Sequence, residues 1–442
     1  MAKEQNLAGI ERASKTGLSV SVVIVLAALA IWAIVFKVPA STDDWHWGTV
    51  IKQGNPLPLI DPYCFRLPVC KVLFNLTLPV ILRIPLLGKL LVWSIGIIGI
   101  ALPLSWFFKR YGLNLAHLPP LAFFAFFAPG QYELNYNQSS MPFAYGLLFV
   151  GLGFLLFRKG NRWLGTILYL LSFFTLESFI TLAILLELSA RAPDLAKKET
   201  IKRTVLDLAV LFSPYVLIRL ALHFAHPYQY DAGLALHFGQ LKGLVIQSFF
   251  ITFFKTNWIL SFLQLILYLV LGYGLVRRLA PEKRNSWAVS LAALVLFFFM
   301  GSSYYLVLSY PAGRALIGQI AFGWGAYLLL VLSFVSGQRA KAPVKVLALA
   351  AFLSVQVVAQ VLIFKTKAFN YCQIRTEVAT AQTQLAKSHG AVDLDPAAVR
   401  ARFQRDWIFS SDADVIKMFE YSLPAADFAR LRFIDPPAPS KQ

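Results

Sequence analysis

Cysteines and acidic residues are scarce in this chain of 442 residues. It has 22 acidic residues against 41 basic ones, and its three cysteines are Cys64, Cys70 and Cys372. Three cysteines exclude a disulfide scaffold and a four-cysteine zinc site. Cys64 and Cys70 fall in a segment that we place outside the membrane, so they either form one small disulfide or stay as two thiols.

Several motifs of soluble enzymes are also missing. The chain lacks a glycine-rich phosphate loop, a Ser-His-Asp order and a zinc motif, which argues against a cytoplasmic nucleotide-sugar enzyme. It lacks a repeat of solenoid period and a matched pair of interrupted segments in its two halves, which weakens a transporter interpretation.

Apolar residues dominate what is present. The sequence is 58% hydrophobic and 14% charged, with a mean hydropathy of +0.63, so lipid must be its solvent. A bilayer span needs roughly 20 apolar residues. Stretches that reach this length include Leu18 to Phe36, Gly88 to Phe108, Trp258 to Val276 and Val346 to Phe364. We predict an all-α polytopic membrane protein with about ten transmembrane helices, in which the first stretch remains as a helix because it lacks a clear cleavage site.

The basic residues that give the net charge of +19 indicate how the chain is oriented in the membrane. The basic residues are not gathered on one amphipathic face, which argues against nucleic-acid binding; they separate the apolar segments instead. The positive-inside rule places these clusters on the cytoplasmic side, together with the amino terminus. They are Lys3 to Lys15, Lys109 and Arg110, Arg158 to Arg162, Arg191 to Arg203, Arg277 to Arg284, and Arg339 to Lys345.

One apolar segment conflicts with this rule, because Leu164 to Leu186 has basic clusters on both sides. We predict a re-entrant pair of half-helices, broken near Thr175 to Ser178, that enters and leaves by the same face. Glu177 lies at the break, where an acid in hydrocarbon costs about 3 kcal/mol or more. It either caps the amino terminus of a half-helix as a structural polar break or serves catalysis.

Composition divides the chain into two domains. Residues 1–364 form the predicted membrane domain, with a first outer loop at 37–87. Residues 365–442 carry 11 basic and 9 acidic positions and form a predicted extracytoplasmic domain. We expect a multi-pass protein of the plasma (inner) membrane, with its carboxyl-terminal domain outside.

An acidic pair directly follows the first helix on the outer side, in the sequence Ser41-Thr42-Asp43-Asp44-Trp45-His46-Trp47. A carboxylate there could act as a general base, and the indole of Trp45 could stack on a sugar beside His46. Alternatively, the polar residues cap a surface helix and the tryptophans anchor it at the interface. Asp43, Asp44 and His46 could also offer metal ligands, although their spacing is not diagnostic. We therefore expect no required cofactor and leave a divalent metal open.

These patterns together resemble the GT-C superfamily of glycosyltransferases, which use polyprenyl-phosphate sugars. The segment Arg158-Lys159-Gly160-Asn161-Arg162-Trp163, the break at Thr175-Leu176-Glu177-Ser178 and the run Arg191 to Arg203 are similar to a basic-flanked broken helix pair. That pair occurs in the lipid A aminoarabinose transferase and the protein O-mannosyltransferases.

The resemblance implies that Asp43 or Asp44 is the catalytic base or positions the acceptor. The family often has a second acid at the outer start of its fourth helix. The matching sequence here, Ser140-Met141-Pro142-Phe143, has no carboxylate, and the nearest are Glu133 and Asp231.

Other residues predicted on the outer side are candidates for holding the substrate. Arg314, with Arg219 as a second candidate, could clamp a lipid phosphate, or it could snorkel to headgroups. Tyr228 and Tyr230 could line a sugar cavity or serve as interfacial aromatics.

The predicted function is transfer of one sugar from a polyprenyl-phosphate donor to a hydroxyl of a lipid-linked glycan, polysaccharide or protein acceptor, with inversion at the anomeric carbon. The alternatives are an O-antigen-type polymerase or ligase that uses a polyprenyl-diphosphate glycan, a lipid or solute transporter, and a structural membrane subunit.

Overall fold

The computed structural model describes residues 20–36, 49, 68–83, 85–111, 115–128, 141–176, 179–191, 194, 197–225, 342–365, 369–388, 390–403 and 411–434. This part is 88% helical, in agreement with the all-α prediction. Three of its helices are long and apolar enough to span a membrane, namely Leu87–Arg110, Met141–Arg158 and Lys198–Ala221. The chain is therefore an α-helical membrane protein.

The helices of the membrane domain follow the predicted apolar segments closely. The helices that begin at Val20, Pro85 and Ala342 have both ends within four residues of the predicted spans, because long apolar runs are the strongest sequence signal. The helix predicted to begin at Val205 begins seven residues earlier, at Lys198. The predicted spans from Trp258 to Ser336 lie outside the described residues. The helices are α1 Val20–Phe36, α2 Pro68–Arg83, α3 Pro85–Tyr111, α4 Leu118–Phe126, α5 Met141–Arg158, α6 Arg162–Phe173, α7 Phe179–Arg191, α8 Lys198–Ala225 and α9 Ala342–Ile363.

Helix α2 lies within residues 37–87, the predicted first outer loop. Its 16 residues pack against α3 and α5. The N–H of Cys70 donates to the carbonyl of Phe174, 3.4 Å away, so the start of α2 meets the break between α6 and α7. Cys70 is buried, and Cys64 lies outside the described residues, so the two alternatives, one disulfide or two thiols, stay predictions. Lys71 and Pro79 interrupt the apolar run of α2, so this helix is not identified by the length of an apolar segment.

Helix α5 is the centre of the membrane domain. A Cβ atom on Gly151 would lie 2.5 Å from the carbonyl oxygen of Gly99 in α3, and one on Gly153 would lie 3.1 Å from that of Gly165 in α6. A Cβ atom on Gly146 would likewise overlap the ring of Phe179 in α7. Small residues let membrane helices approach closely, because van der Waals packing replaces the hydrophobic effect in lipid.

Helices α6 and α7 form the predicted broken pair. Arg158 ends α5, Gly160 turns the chain with φ of 92°, and the side chain of Asn161 accepts from the N–H of Leu164 to cap α6. Helix α6 ends at Phe173 and α7 begins at Phe179, so the break near Thr175 is confirmed. We call this pair the α6–α7 hairpin.

Helix α9 packs on the carboxyl-terminal end of α4. The amide of Gln356 donates to the carbonyls of Phe124 and Phe127 at 2.9 and 3.3 Å, and that of Gln360 donates to Phe127 at 2.6 Å. Both glutamines are fully buried. They satisfy carbonyls that a helix end would otherwise leave unpaired, which allows α4 to end inside the bundle.

The carboxyl-terminal domain has a hydrophobic core of its own. Its helices are α10 Phe369–Lys387, α11 Pro396–Arg402, α12 Asp412–Ser422 and α13 Ala425–Phe428. Two strands, β1 Val392–Leu394 and β2 Leu431–Phe433, pair in parallel; at three residues each they were too short to predict.

A hydrogen bond joins this domain to the first predicted outer loop. The hydroxyl of Thr49, a buried residue, donates to the carbonyl of Lys417 in α12 at 3.3 Å. Two segments that the sequence placed on the same side of the membrane therefore meet in the structure.

The glycine contacts of α5 predict that Gly151→Ala lowers stability by about 1–3 kcal/mol, because a methyl group there overlaps the backbone of α3. Helix propensity alone favours alanine by up to about 1 kcal/mol, so the two effects have opposite signs. Thermal unfolding of the purified protein in detergent measures the difference. The matched control is Gly390→Ala, where a Cβ meets nothing within 4 Å; a rise in melting temperature for Gly151→Ala would refute the close packing.

Candidate functional site: an arginine-lined cavity

Five helices bring their charged ends together at one end of the membrane domain. Here α3, α5 and α7 end, α6 begins, and α8 begins its first turns. Their side chains line a cavity of about 450 Å³, which we call the arginine cavity. Its charged lining consists of Arg110, Arg158, Arg162, Arg191, Arg203, Asp194, Glu199 and Asp207.

Glu187 lies beside this cavity and is 1% exposed. Its carboxylate is ion-paired with Arg158 of α5, and its Oε2 lies 3.6 Å from Nη2 of Arg191, one turn later in α7. The hydroxyl of Tyr169 in α6 donates to its Oε1 at 3.1 Å. One buried acid therefore connects α5, α6 and α7.

Asp207 of α8 makes the second connection. Its Oδ1 lies 3.0 Å from Nη1 of Arg162, at the start of α6, and its Oδ2 binds Nη2 of Arg191, at the end of α7. The first residue of the hairpin and its last therefore bind the same carboxylate. Three of the six basic clusters from the sequence meet at one end of the bundle, which is the arrangement that the re-entrant prediction requires.

The rim of the cavity is more open to solvent. Asp194 lies 2.9 Å from the ammonium of Lys197 and 3.7 Å from Arg110. The hydrogen bond and charge of Lys197 hold the pKa of Asp194 below its usual value. The guanidinium of Arg110 also stacks on Trp106, at 5.3 Å from the ring centre. These contacts keep the arginine at the mouth of the cavity.

Arginine outnumbers acid in this lining, so the cavity is suited to anions. Buried guanidinium groups bind carboxylates and phosphates through paired N–H donors in a fixed geometry. Within the described segments, no group of three or more His, Cys, Asp or Glu side chains has metal-binding geometry.

Most of the residues predicted from the sequence to form a substrate site lie outside the described part of the structure. Arg219 is the exception. It lies on α8, is partly exposed, and follows Asp207 by twelve residues, which corresponds to about 18 Å along the helix. It is therefore far from the arginine cavity. The predicted residues outside the described segments are Asp43, Asp44, Trp45, His46, Glu133, Glu177, Tyr228, Tyr230, Asp231 and Arg314.

Sequence reasoning missed Glu187 and Asp207. Glu187 follows the apolar run of α7 with Arg191 four residues later, and Asp207 interrupts the apolar start of α8. An acid inside an apolar run is a functional or structural signal by default. If the same criterion had been applied to acids other than Glu177, it would have identified Glu187 and Asp207.

The burial of Glu187 predicts a large effect for Glu187→Gln, of about 3–5 kcal/mol, because the arginines beside it lose their counter-charge. Tyr169→Phe removes one hydrogen bond to the same carboxylate and should cost about 1 kcal/mol. Asp194→Asn, at the exposed rim, should change stability little. Thermal unfolding in detergent ranks the three; similar melting temperatures for Glu187→Gln and Asp194→Asn would contradict a buried connection.

The geometry above stands without a related protein to compare it with. No protein family, curated protein or solved structure matches this chain.

Proposed function

We propose that this protein is a membrane glycosyltransferase that moves a sugar from a polyprenyl-phosphate donor to a hydroxyl of a lipid-linked glycan, polysaccharide or protein. It acts at the outer face of the plasma (inner) membrane, with about ten transmembrane helices, a cytoplasmic amino terminus and residues 365–442 outside. The polyprenyl-phosphate sugar, the glycan or protein acceptor and the bilayer are its partners.

The α6–α7 hairpin carries this proposal. A broken helix pair flanked by basic residues is the most specific feature that the chain shares with the GT-C superfamily. In the structure, Arg162 before the break and Arg191 after it both bind Asp207, so the pair returns to the end from which it starts. This return agrees with a re-entrant pair and with the cytoplasmic assignment of both basic clusters.

The lengths of the helices support a cavity on the outer side. Helices α4, α6 and α7 have 9, 12 and 13 residues, which correspond to about 14, 18 and 20 Å. A bilayer core is about 30 Å thick, so these helices end inside it when they start from one face. Helices α3 and α8, with 27 and 28 residues, can cross the core completely.

The contact between Thr49 and Lys417 supports the location of the acidic pair. Thr49 follows Asp44 by five residues, and Lys417 belongs to the domain predicted outside. Five residues reach at most about 18 Å. This contact supports the proposal that the acidic pair faces the carboxyl-terminal domain, which could close one side of an outer substrate cavity.

The proposed chemistry is a single displacement. Asp43 or Asp44 takes the proton from the acceptor hydroxyl as its oxygen attacks the anomeric carbon. The bond from that carbon to the phosphate oxygen breaks, and the electron pair leaves with polyprenyl phosphate. Arg314, with Arg219, offsets the charge that develops on the phosphate. One displacement inverts the anomeric centre.

Loss of the catalytic base predicts that Asp43→Asn or Asp44→Asn slows sugar transfer by about 10²–10⁴-fold while donor binding persists. Arg314→Ala should weaken donor binding instead. The measurement is turnover by the purified protein with a panel of synthetic polyprenyl-phosphate sugars. Asp61→Asn is the control, because Asp61 lies in the same predicted loop outside the proposed site.

Two outcomes would redirect this assignment. A loss in the Arg314 variant alone, with polyprenyl-diphosphate glycans as the active donors, would favour a polymerase or ligase. An absence of turnover and of donor binding in a folded sample would reject the transferase and favour a transporter or a structural subunit.

Re-entrance of the hairpin predicts that cysteines at Lys159 and Lys198 in a cysteine-free background react with an impermeant thiol reagent only after the membrane is opened. A cysteine at Gln384, in the carboxyl-terminal domain, should react from outside in intact cells. All three positions are exposed in the structure, so their side chains can be labelled. Labelling of Lys159 and Lys198 from opposite sides would show a single crossing and overturn the proposed topology.

A further inference from the structure

The arginine cavity has no role in the proposed transfer reaction. It lies at the base of the α6–α7 hairpin, whereas the acidic pair and the carboxyl-terminal domain are assigned to the opposite side of the membrane. We propose that the arginine cavity is a second ligand site, which binds a phosphate group. The phosphate belongs either to the headgroup of an anionic lipid or to a free phosphate ion.

The balance of charge in the lining favours an anion. Five arginines face four carboxylates, of which three line the cavity and the fourth is the buried Glu187 beside it. Asp207 is already bound by Arg162 and Arg191, and Asp194 by Lys197. Arg203 makes no ion pair within the described part of the chain. Its charge is available to a ligand.

Buried donors give a second, independent argument. Nε of Arg158 and Nη1 of Arg191 are buried and have no hydrogen-bond acceptor among the described residues. A buried donor without an acceptor is costly, and such groups are rare in folded proteins. A phosphate accepts several N–H bonds at once, in the paired geometry that a guanidinium offers. Both donors belong to arginines that line the cavity.

The size and the remaining lining narrow the ligand class. A volume of about 450 Å³ lies within the range of roughly 300–1,000 Å³ that small-molecule sites occupy. Phe157 is the aromatic side chain among the described lining residues, and the guanidinium groups of Arg158 and Arg162 already cover it, each 5.8 Å from the ring centre. Basic pockets between helices at a membrane surface bind phosphate headgroups.

The test uses pairs of neighbouring basic residues, one inside the cavity and one outside. Arg110 and Arg203 line the cavity at its exposed side, and Lys109 and Lys202 are their exposed neighbours outside the lining. The double variant Arg110→Gln with Arg203→Gln therefore loses the same charge as the control Lys109→Gln with Lys202→Gln. Neither variant removes an arginine from the buried connections of Glu187 and Asp207.

The full-length protein in phosphatidylcholine nanodiscs is titrated with inorganic phosphate and with short-chain phosphatidic acid. We expect saturable binding by the wild-type protein and by the lysine control, and affinity weakened about tenfold or more in the arginine variant. Saturation by phosphatidic acid without competition from inorganic phosphate identifies a lipid headgroup as the ligand. Binding of inorganic phosphate alone identifies a free ion, and both results support the site.

Two results would overturn the proposal. One is the absence of saturable binding of either probe to the wild-type protein. The other is an equal loss of affinity in the arginine variant and the lysine control, which would indicate general surface charge. Melting temperatures measured without ligand identify any variant that is unfolded. Since no turnover is measured, the outcome is independent of the transferase proposal.

Discussion

Two buried carboxylates, Glu187 and Asp207, determine how the membrane domain is arranged. Charges buried away from water are tolerated only when they are paired and hydrogen-bonded. Glu187 therefore requires Arg158 and Arg191 beside it, and Asp207 requires Arg162 and Arg191. Because these arginines stand on α5, α6 and α7, satisfying the two acids brings those helices and α8 to one point. The route of the hairpin follows from that requirement.

The close packing around α5 acts together with this charged connection. Glycines let α3, α6 and α7 approach the backbone of α5 closely. This packing does not fix the position of each helix along its own axis. The ion pairs fix this axial position, because they hold the start of α6 and the end of α7 at the same level of the bundle. The hairpin then ends about 18–20 Å from its base, near the start of α2. This division of the bundle into a charged base and a region above the short helices is what the proposed outer cavity depends on.

Much of the fold could be predicted from simple patterns. Apolar length identified α1, α3, α5 and α9, because a bilayer span needs a long uninterrupted run. Charge identified the hairpin, because basic residues on both sides of one segment contradict a single crossing. Helix α2 was not predicted, because polar residues interrupt its apolar run. The three-residue strands were not predicted, because they are too short to show an alternation of apolar and polar residues. Of the predicted substrate site, the described structure contains Arg219 alone, so the assignments of Asp43, Asp44 and Arg314 stay predictions.

The sequence by itself determined that this chain is an α-helical membrane protein and where its long apolar helices lie, and it predicts that the segment between Arg162 and Arg191 does not cross the membrane once. These properties follow from local composition, and each can be evaluated along the chain. Only the tertiary structure decided which acids the arginines bind, that Thr49 meets Lys417, and that five arginines from separate helices surround one cavity. Pairing across long sequence separation depends on how helices pack in three dimensions, and neither hydropathy nor spacing carries that information.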